Sequence, residues 1–441
     1  MRRFPPVPSL LALITLAAGP ARAGAQQPAG PQGPLTLLAA ISLGRTRGVD
    51  AAIAQLNVRT AEARVGQRRA DLLPAISGNA AITRQTLNLE EFGIPNATGV
   101  TNPFDIYRLQ LRASQTIFDA SVIGRLRAAR DTAVAAGLDA RAAGDLAGAT
   151  AGLAYLRALS ARETVRAREA DSTIAASLLE QARRLVGAGV SPAIDATRSE
   201  VSYAAVRTQL EVARNAADRT RLDLLRALDL PSGTRVELAD SLGLGGLDLP
   251  LEPDSAAGFA REHRAELAAE RARTQAARRS LGAIRAEYLP SLGLTGAYQQ
   301  TGRETQDLAG TYNLQLQLTV PILDGFRRQN RVKEQNVRVD IQKIRERDLT
   351  NQVETEARQA ALDVASARQQ VAIANDRLRL AEQELSQAQQ RFQAGVAGSV
   401  ETTNAQGSVI AARDALIQAR VNFDTARVGA YRALGVIDQL H

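Results

Sequence analysis

The sequence predicts a mainly α-helical protein with a small β part, built from one helix–strand–strand–helix–helix unit written twice. Three observations predict it. The first is repetition: the stretch from Arg69 to Ile76 (RADLLPAI) is matched by Arg285 to Leu292 (RAEYLPSL), 216 residues later. Tyr107 to Asp119 is matched by Tyr312 to Asp324 at an offset of 205. Ala188 to Asp195 is matched by Ala394 to Glu401, and Arg226 to Leu228 by Arg432 to Leu434, both at 206. A fixed period with landmarks in one order marks a structural repeat, and the fall from 216 to 205 puts an 11-residue longer loop between about 85 and 105 in the first copy. The second observation is strict alternation of apolar and polar residues over four short segments, the period of a strand. The third is apolar spacing of three and four over long stretches rich in Ala, Arg, Leu and Gln, the pattern of packed helices.

From the N-terminus, Arg2 and Arg3 precede the apolar run Leu10 to Ala18, and the small residues Ala21-Arg22-Ala23 and Ala23-Gly24-Ala25 follow. A positive start, a short apolar core and an A-x-A site read as a secretory signal peptide over 1–25, followed by a flexible tether over 26–34. The first repeat then spans 35–229, with a helix from about Thr36 to Leu72, strands at about 75–86 and 106–118, a long helix from Ala120 to Val186, and a helix from Pro192 to Leu228. In the strands Tyr107, Leu109, Leu111 and Ile117 oppose Arg108, Gln110, Arg112 and Ser114. The long helix covers about 100 Å at the helical rise of about 1.5 Å per residue, and its apolar pattern is interrupted at Arg168 and Ser172. The two shorter helices together match its length, so they are expected end to end beside it.

Residues 230–258, rich in Gly, Pro, Leu and Asp, join the repeats and are expected to form a belt around the middle of the helices. The second repeat spans 259–441, with strands at about 291–301 and 311–322. Tyr312, Leu314, Leu316, Leu318, Val320 and Ile322 form one face; Asn313, Gln315, Gln317 and Thr319 form the other. In its long helix Val353, Ala357, Ala360, Val364, Ala367, Val371, Ala374, Leu378, Ala381, Leu385, Ala388 and Phe392 make a seam in which large residues alternate with Ala. Asp119 and Asp324 are expected to cap the helices that follow the strands. His263 has no second His nearby and reads as a surface or capping residue.

Strands of about ten residues are long enough to cross a bilayer when tilted. Four cannot close a barrel, and open edges in lipid would strand unpaired N–H and C=O groups at several kcal/mol each. Membrane insertion would therefore require several chains. Composition narrows the chemistry further. With no Cys and 2 His among 441 residues, thiolate metal sites, disulfides and an acylated Cys are excluded. Aromatics at 3% do not support nucleic-acid stacking, and a net charge of +8 is spread among acids rather than gathered in a basic run, so no nucleic-acid partner is expected. No catalytic constellation, cofactor motif or metal site stands out, and no P-loop is present.

Taken together, the signal peptide, the duplicated unit, Leu73-Pro74 and Leu289-Pro290 before the strands, and the turns Arg184…Gly189…Asp195 and Arg391…Gly395…Glu401 resemble the TolC-like outer membrane efflux protein (outer membrane factor) family over about residues 35–440. The resemblance implies a homotrimer in which a 12-stranded β-barrel in outer-membrane lipid continues as a 12-helix α-barrel through the periplasm. It implies an exit duct for tripartite efflux or type I secretion, opened by a periplasmic adaptor (membrane fusion) protein and an inner-membrane pump. Adaptor docking then falls at the tips, Val186 to Asp195 and Phe392 to Glu401, with Arg184, Gly187, Gly189, Val190, Arg391, Gly395 and Val396. The gate falls on Asp195, Glu401 and Asn404. An arginine that braces this gate in some members falls on Ala397, and one acidic position is Asn404, so the family's salt-bridge scheme is altered here. Leu109, Leu111, Leu314, Leu316 and Leu318 would face lipid; Arg108, Gln110, Arg112, Gln315 and Gln317 would face the lumen, the two arginines more as solvated residues than as a filter. The alternative from the residues alone is an exported soluble coiled-coil scaffold or adhesion stalk without a channel.

Overall fold

The structure is a computed structural model that describes residues 33–92, 99–243, 249, 252–394, 396 and 398–440. The expected signal peptide and residues 26–32 of the tether lie outside the described residues, as do Gly395 and Ala397.

Each repeat folds as two short helices in series, two strands, a long helix and a shorter helix. In the first repeat these are α1 (Leu37–Arg47), α2 (Val49–Ala70), β1 (Ala75–Gln85), β2 (Phe104–Phe118), α3 (Ala120–Gly187) and α4 (Ala193–Ala227). In the second they are α5 (Pro253–His263), α6 (Ala265–Ala286), β3 (Ser291–Gly302), β4 (Ala309–Thr319), α7 (Arg327–Gln393) and α8 (Ser399–Ala433). Paired helices have 11 and 11, 22 and 22, 68 and 67, and 35 and 35 residues, so the duplication holds to the single residue in the helices.

The expected single helix from Thr36 to Leu72 is instead two, broken at Gly48 with φ −52° and ψ 137°. The equivalent residue of the second repeat, Arg264, breaks its helix in the same way, with φ −68° and ψ 118°. One extended residue cannot continue the i→i−4 ladder, so the stave bends there. A local contact accounts for the residue type at the first break and tertiary contacts for that at the second. A Cβ on Gly48 would stand 2.5 Å from the Gly44 carbonyl oxygen. Arg264 is buried, and its guanidinium bonds Glu266 (3.0 Å), Glu356 (2.9 Å) and the Ala433 carbonyl (3.2 Å) at the end of α8. The apolar pattern of the long first-repeat helix breaks at Arg168 and Ser172, but the helix itself does not: α3 runs unbroken through both.

Helix contacts define one open layer four staves wide. Toward the strands α3 lies between α2 and α6, and α6 lies against α7; away from them α4 flanks α3, and α8 lies between α3 and α7. The two short staves thus follow one another along the long helix. Their junction at mid-height holds the main core: Leu35, Ile41, Tyr155, Leu156, Leu159, Leu224, Leu228, Tyr431 and Leu434 are all buried. The linker after α4 is stitched onto this core. Leu35 pairs with Leu238, and Asp240 accepts from the Leu37 N–H at 2.6 Å and the Tyr155 hydroxyl at 2.9 Å. In α7 the buried seam follows the expected positions, with Val371 and Leu378 half-buried and Ala361 in place of Ala360; in α8 the seam runs through Ala405, Val409, Ala412, Leu416 and Ala419 and then takes in Asp424, Arg427 and Val428.

The four strands form one antiparallel sheet in the order β1-β2-β3-β4, with β1 and β4 unpaired at its edges. Three strand limits differ from the sequence expectation by two residues or more. β2 begins at Phe104 rather than 106, β4 begins at Ala309 rather than 311, and β4 ends at Thr319 rather than 322. Pro321 lacks the N–H a ladder needs, so Val320 and Ile322 leave the sheet. Asp119 caps α3, its carboxylate accepting from the Ser121 (2.8 Å) and Val122 (3.2 Å) N–H groups. Asp324 does not take the cap position before α7, which Phe326 fills with φ 64°; it accepts instead from the Arg328 N–H at 3.0 Å.

Candidate functional site

Three places along the molecule carry chemistry: the sheet, the far tips of the helical hairpins, and an ionic cluster between them. In the sheet, register turns the alternation of each strand into two coherent faces. One carries Ile76, Ala80 and Ile82 of β1, Tyr107, Leu109 and Leu111 of β2, Leu292, Leu294 and Tyr298 of β3, and Tyr312, Leu314, Leu316 and Leu318 of β4. Its polar members are Gln115 and Gln300, with Arg84 opposite Asp105 at the loop end. The other face carries Ser77, Asn79 and Thr83, then Arg108, Gln110, Arg112 and Ser114, then Thr295, Gln299 and Thr301, then Asn313, Gln315 and Gln317. Ile117, expected on the apolar face, is the extra residue where the register shifts, and Phe118 takes its place opposite Leu292. The apolar face is uncovered: Leu314, Leu316 and Leu318 are 73%, 65% and 65% exposed. A contiguous exposed apolar surface of this kind marks an interface with lipid or protein.

At the opposite end, α3 closes on a left-handed glycine. Gly189 has φ +73°, and the Val190 N–H reaches back to the Leu185 carbonyl at 2.9 Å, the pattern of a helix ended by an αL residue. Gly187 is the last residue of α3, and Val190 beyond it is exposed. Arg184 pairs with Glu180 at 3.4 Å along its own helix. In the second hairpin Arg391 bridges the turn to Glu401 at 2.9 Å, and Val396 is exposed; Gly395 lies outside the described residues.

The two tips are joined to each other. Asp195, in the first turn of α4, is 5% exposed, and the Ser399 hydroxyl at the start of α8 donates to its Oδ1 at 2.6 Å. Asp195 is therefore more than a first-turn acid facing the helix dipole. Asn404 is exposed and lines a groove between α4 and α8 with Arg198, Val201 and Val400; no bond joins it to Glu401. Sequence reasoning missed Ser399, whose only signal was its place at a helix start.

Between sheet and tips, Arg168 and Asp171 of α3 meet α8. Arg168 bonds Asp171 at 3.0 Å and Asp414 at 2.5 Å, and Arg413 pairs with the second Asp171 oxygen. Burial pushes the Asp171 carboxyl up despite both guanidinium neighbours, so desolvation outweighs pairing there. The interruption that the apolar pattern shows at Arg168 is this cluster.

Comparison with known proteins follows the same division of the chain. The outer membrane efflux protein family matches residues 42–229 and 258–436, one segment for each repeat. The toluene efflux pump outer membrane protein TtgF of Pseudomonas putida is 26% identical over 399 residues, covering 86% of this chain and 79% of that protein. The pyoverdine export outer membrane protein OpmQ of Pseudomonas aeruginosa is 26% identical over 405 residues, covering 88% and 82%. Among solved structures, the Campylobacter jejuni CmeC outer membrane channel superposes with a TM-score of 0.78 at 17% identity, over 91% of this chain and 86% of that one.

Proposed function

Because the chain belongs to the outer membrane efflux protein family and sits in the outer membrane, extending into the periplasm, we propose that three copies assemble into a passive exit duct opened at its periplasmic tip by partner proteins. The observation that carries this reading is the sheet with one apolar face, one polar face and two unpaired edges. In lipid those edges must be paired, and the pairing must be between copies. Two copies would give eight strands, a barrel that side chains fill; three give twelve, enough to leave a lumen. The helical layer is open at both margins in the same way, and three copies of four staves make a tube of twelve. A soluble stalk would leave the Leu314–Leu318 face in water.

At the tips the Asp195–Ser399 bond holds the two hairpins of one copy together, and the Arg391–Glu401 pair braces the second turn. Loosening both would splay the hairpins and widen the end of the tube. Exposed Gly187, Val190 and Val396 are the surface we assign to a periplasmic adaptor, with Gly395 beside them in sequence. The chain has no P-loop to bind nucleotide, so energy enters through an inner-membrane pump. Relatives matched over about four fifths of their length carry names as different as toluene efflux and pyoverdine export. A duct of this family thus serves more than one kind of cargo, and either a tripartite efflux or a type I secretion system fits it.

Fractionation and planar-bilayer recording test the reading. The expected result is a detergent-extracted trimer from outer membranes that conducts ions; recovery as a monomer from the soluble periplasm without detergent would overturn it.

A further inference from the structure

We infer that Arg108 and Arg112 make the strand section of the duct an anion-preferring filter for solutes carrying carboxylate, sulfonate or phosphate groups. The inference rests on the trimeric duct proposed above. Its basis is the register, which shows what stands beside each arginine.

Arg108 lies between Ala81 of β1 and Thr301 of β3, and Arg112 between Ser77 and Ala297, with Gln110 between Asn79 and Gln299 in the row separating them. Across all paired strand positions on the polar face, these two arginines are the only charged residues and no carboxylate faces them. Both are exposed. Among the described residues neither makes an ion pair or a hydrogen bond, while many helix arginines, such as Arg125, Arg279 and Arg328, each meet a carboxylate. A solvated helix face in this chain is of mixed sign. This strand face has one sign only.

Assembly turns that into a field. Twelve strands spaced about 4.8 Å apart and tilted about 40° close at a backbone radius of about 12 Å. Arginines reaching inward from such a wall come within about one Debye length, about 8 Å at physiological ionic strength, of the axis. Four residues along a strand rise about 13 Å, so the two rings of three guanidinium groups stand about 10 Å apart along the pore. An ion leaving one ring enters the field of the next. Rings of Arg or Lys are the charge pattern of anion-selective pores, and the surrounding Gln, Asn, Ser and Thr side chains supply neutral hydrogen bonds without cancelling it.

The test uses purified trimers of the native chain, R108Q/R112Q and R108K/R112K in planar bilayers under a KCl gradient, with pyrophosphate then added on the strand side. Native and R108K/R112K channels should favour chloride and be partly blocked by pyrophosphate. R108Q/R112Q should lose the block and shift the chloride-to-potassium permeability ratio by about threefold or more, the factor that one unit charge about 7 Å from a passing ion gives in water. Should the double Gln variant not assemble, R108Q and R112Q singly remove one ring each and should give smaller shifts of the same sign. Conducting native and Gln channels with equal reversal potentials and equal block overturn the filter and leave the duct standing. A native chain that neither trimerises nor conducts overturns the duct and the filter with it.

Discussion

Asp171 lies 1% exposed between α3 and α8, with Arg168 on one oxygen and Arg413 on the other. Removing it would leave two guanidinium groups short of a partner in a dry contact. Asp171→Ala is expected to cost about 3–5 kcal/mol, the usual penalty for stripping a buried pair of one member, read as a lower denaturant midpoint of the detergent-solubilised protein. Asp171→Asn, which keeps the shape, should cost less. Gly189 makes a different demand. Its φ of +73° suits glycine and strains a β-branched residue, so Gly189→Val is expected to cost about 1–2 kcal/mol locally. The turn would deform, and drug tolerance should fall in cells relying on the variant. Unaltered tolerance would count against a docking role for this turn. Neither feature was legible in full beforehand: the glycine was visible in an A-G-V turn, but of Asp171 nothing showed beyond the breaks in the apolar pattern at Arg168 and Ser172.

Strands and helices differ in how much of themselves they reveal. Period-two alternation in Tyr312 to Thr319 depends on neighbours two residues apart, so the faces of β4 were readable from the chain alone. Leu316→Arg should therefore disturb assembly by about 2–4 kcal/mol, the depth-dependent cost of arginine on a lipid-facing strand position; an unchanged trimer yield on native gels would show that this face does not meet lipid. The helix limits were legible for the same local reason, as α3 and α4 show, each limit falling within one residue of the expected one. The break at Gly48 was not. Its partner at Arg264 is a good helix former, and nothing in its neighbours signals an extended residue. What holds it there is Glu356 and the Ala433 carbonyl, 92 and 169 residues away.

For the molecule as a whole, titration gives a stability profile with a definite sign. Burial raises the Asp145, Asp171 and Asp424 carboxyls above their usual range, against the opposing pull of nearby arginines. The folded chain therefore binds protons before the unfolded chain does, and stability from these groups rises as pH falls toward 3.8. Asp119 and Glu356 act oppositely: burial opposes them, but hydrogen bonds hold both carboxyls low. Their contribution is lost only as pH falls below the ordinary carboxylate values. The unfolding midpoint is expected to rise or hold from about pH 7 to about pH 4.5 and to fall in stronger acid, with Asp171→Asn flattening the rise. A midpoint falling steadily from neutrality would contradict this balance.

Alone, the sequence determined the duplication, the kind and order of the elements, and the two-faced strands, because periods of 2 and about 3.5 and a repeat of about 206 residues are written along the chain. Only the tertiary structure decided which residues stand opposite one another: Asp195 with Ser399, 204 residues apart, Arg168 with Asp414, and Arg108 beside Ala81 and Thr301 rather than beside an acid. Such contacts follow from the packing of distant segments, and a contact between distant segments leaves no period in either of them.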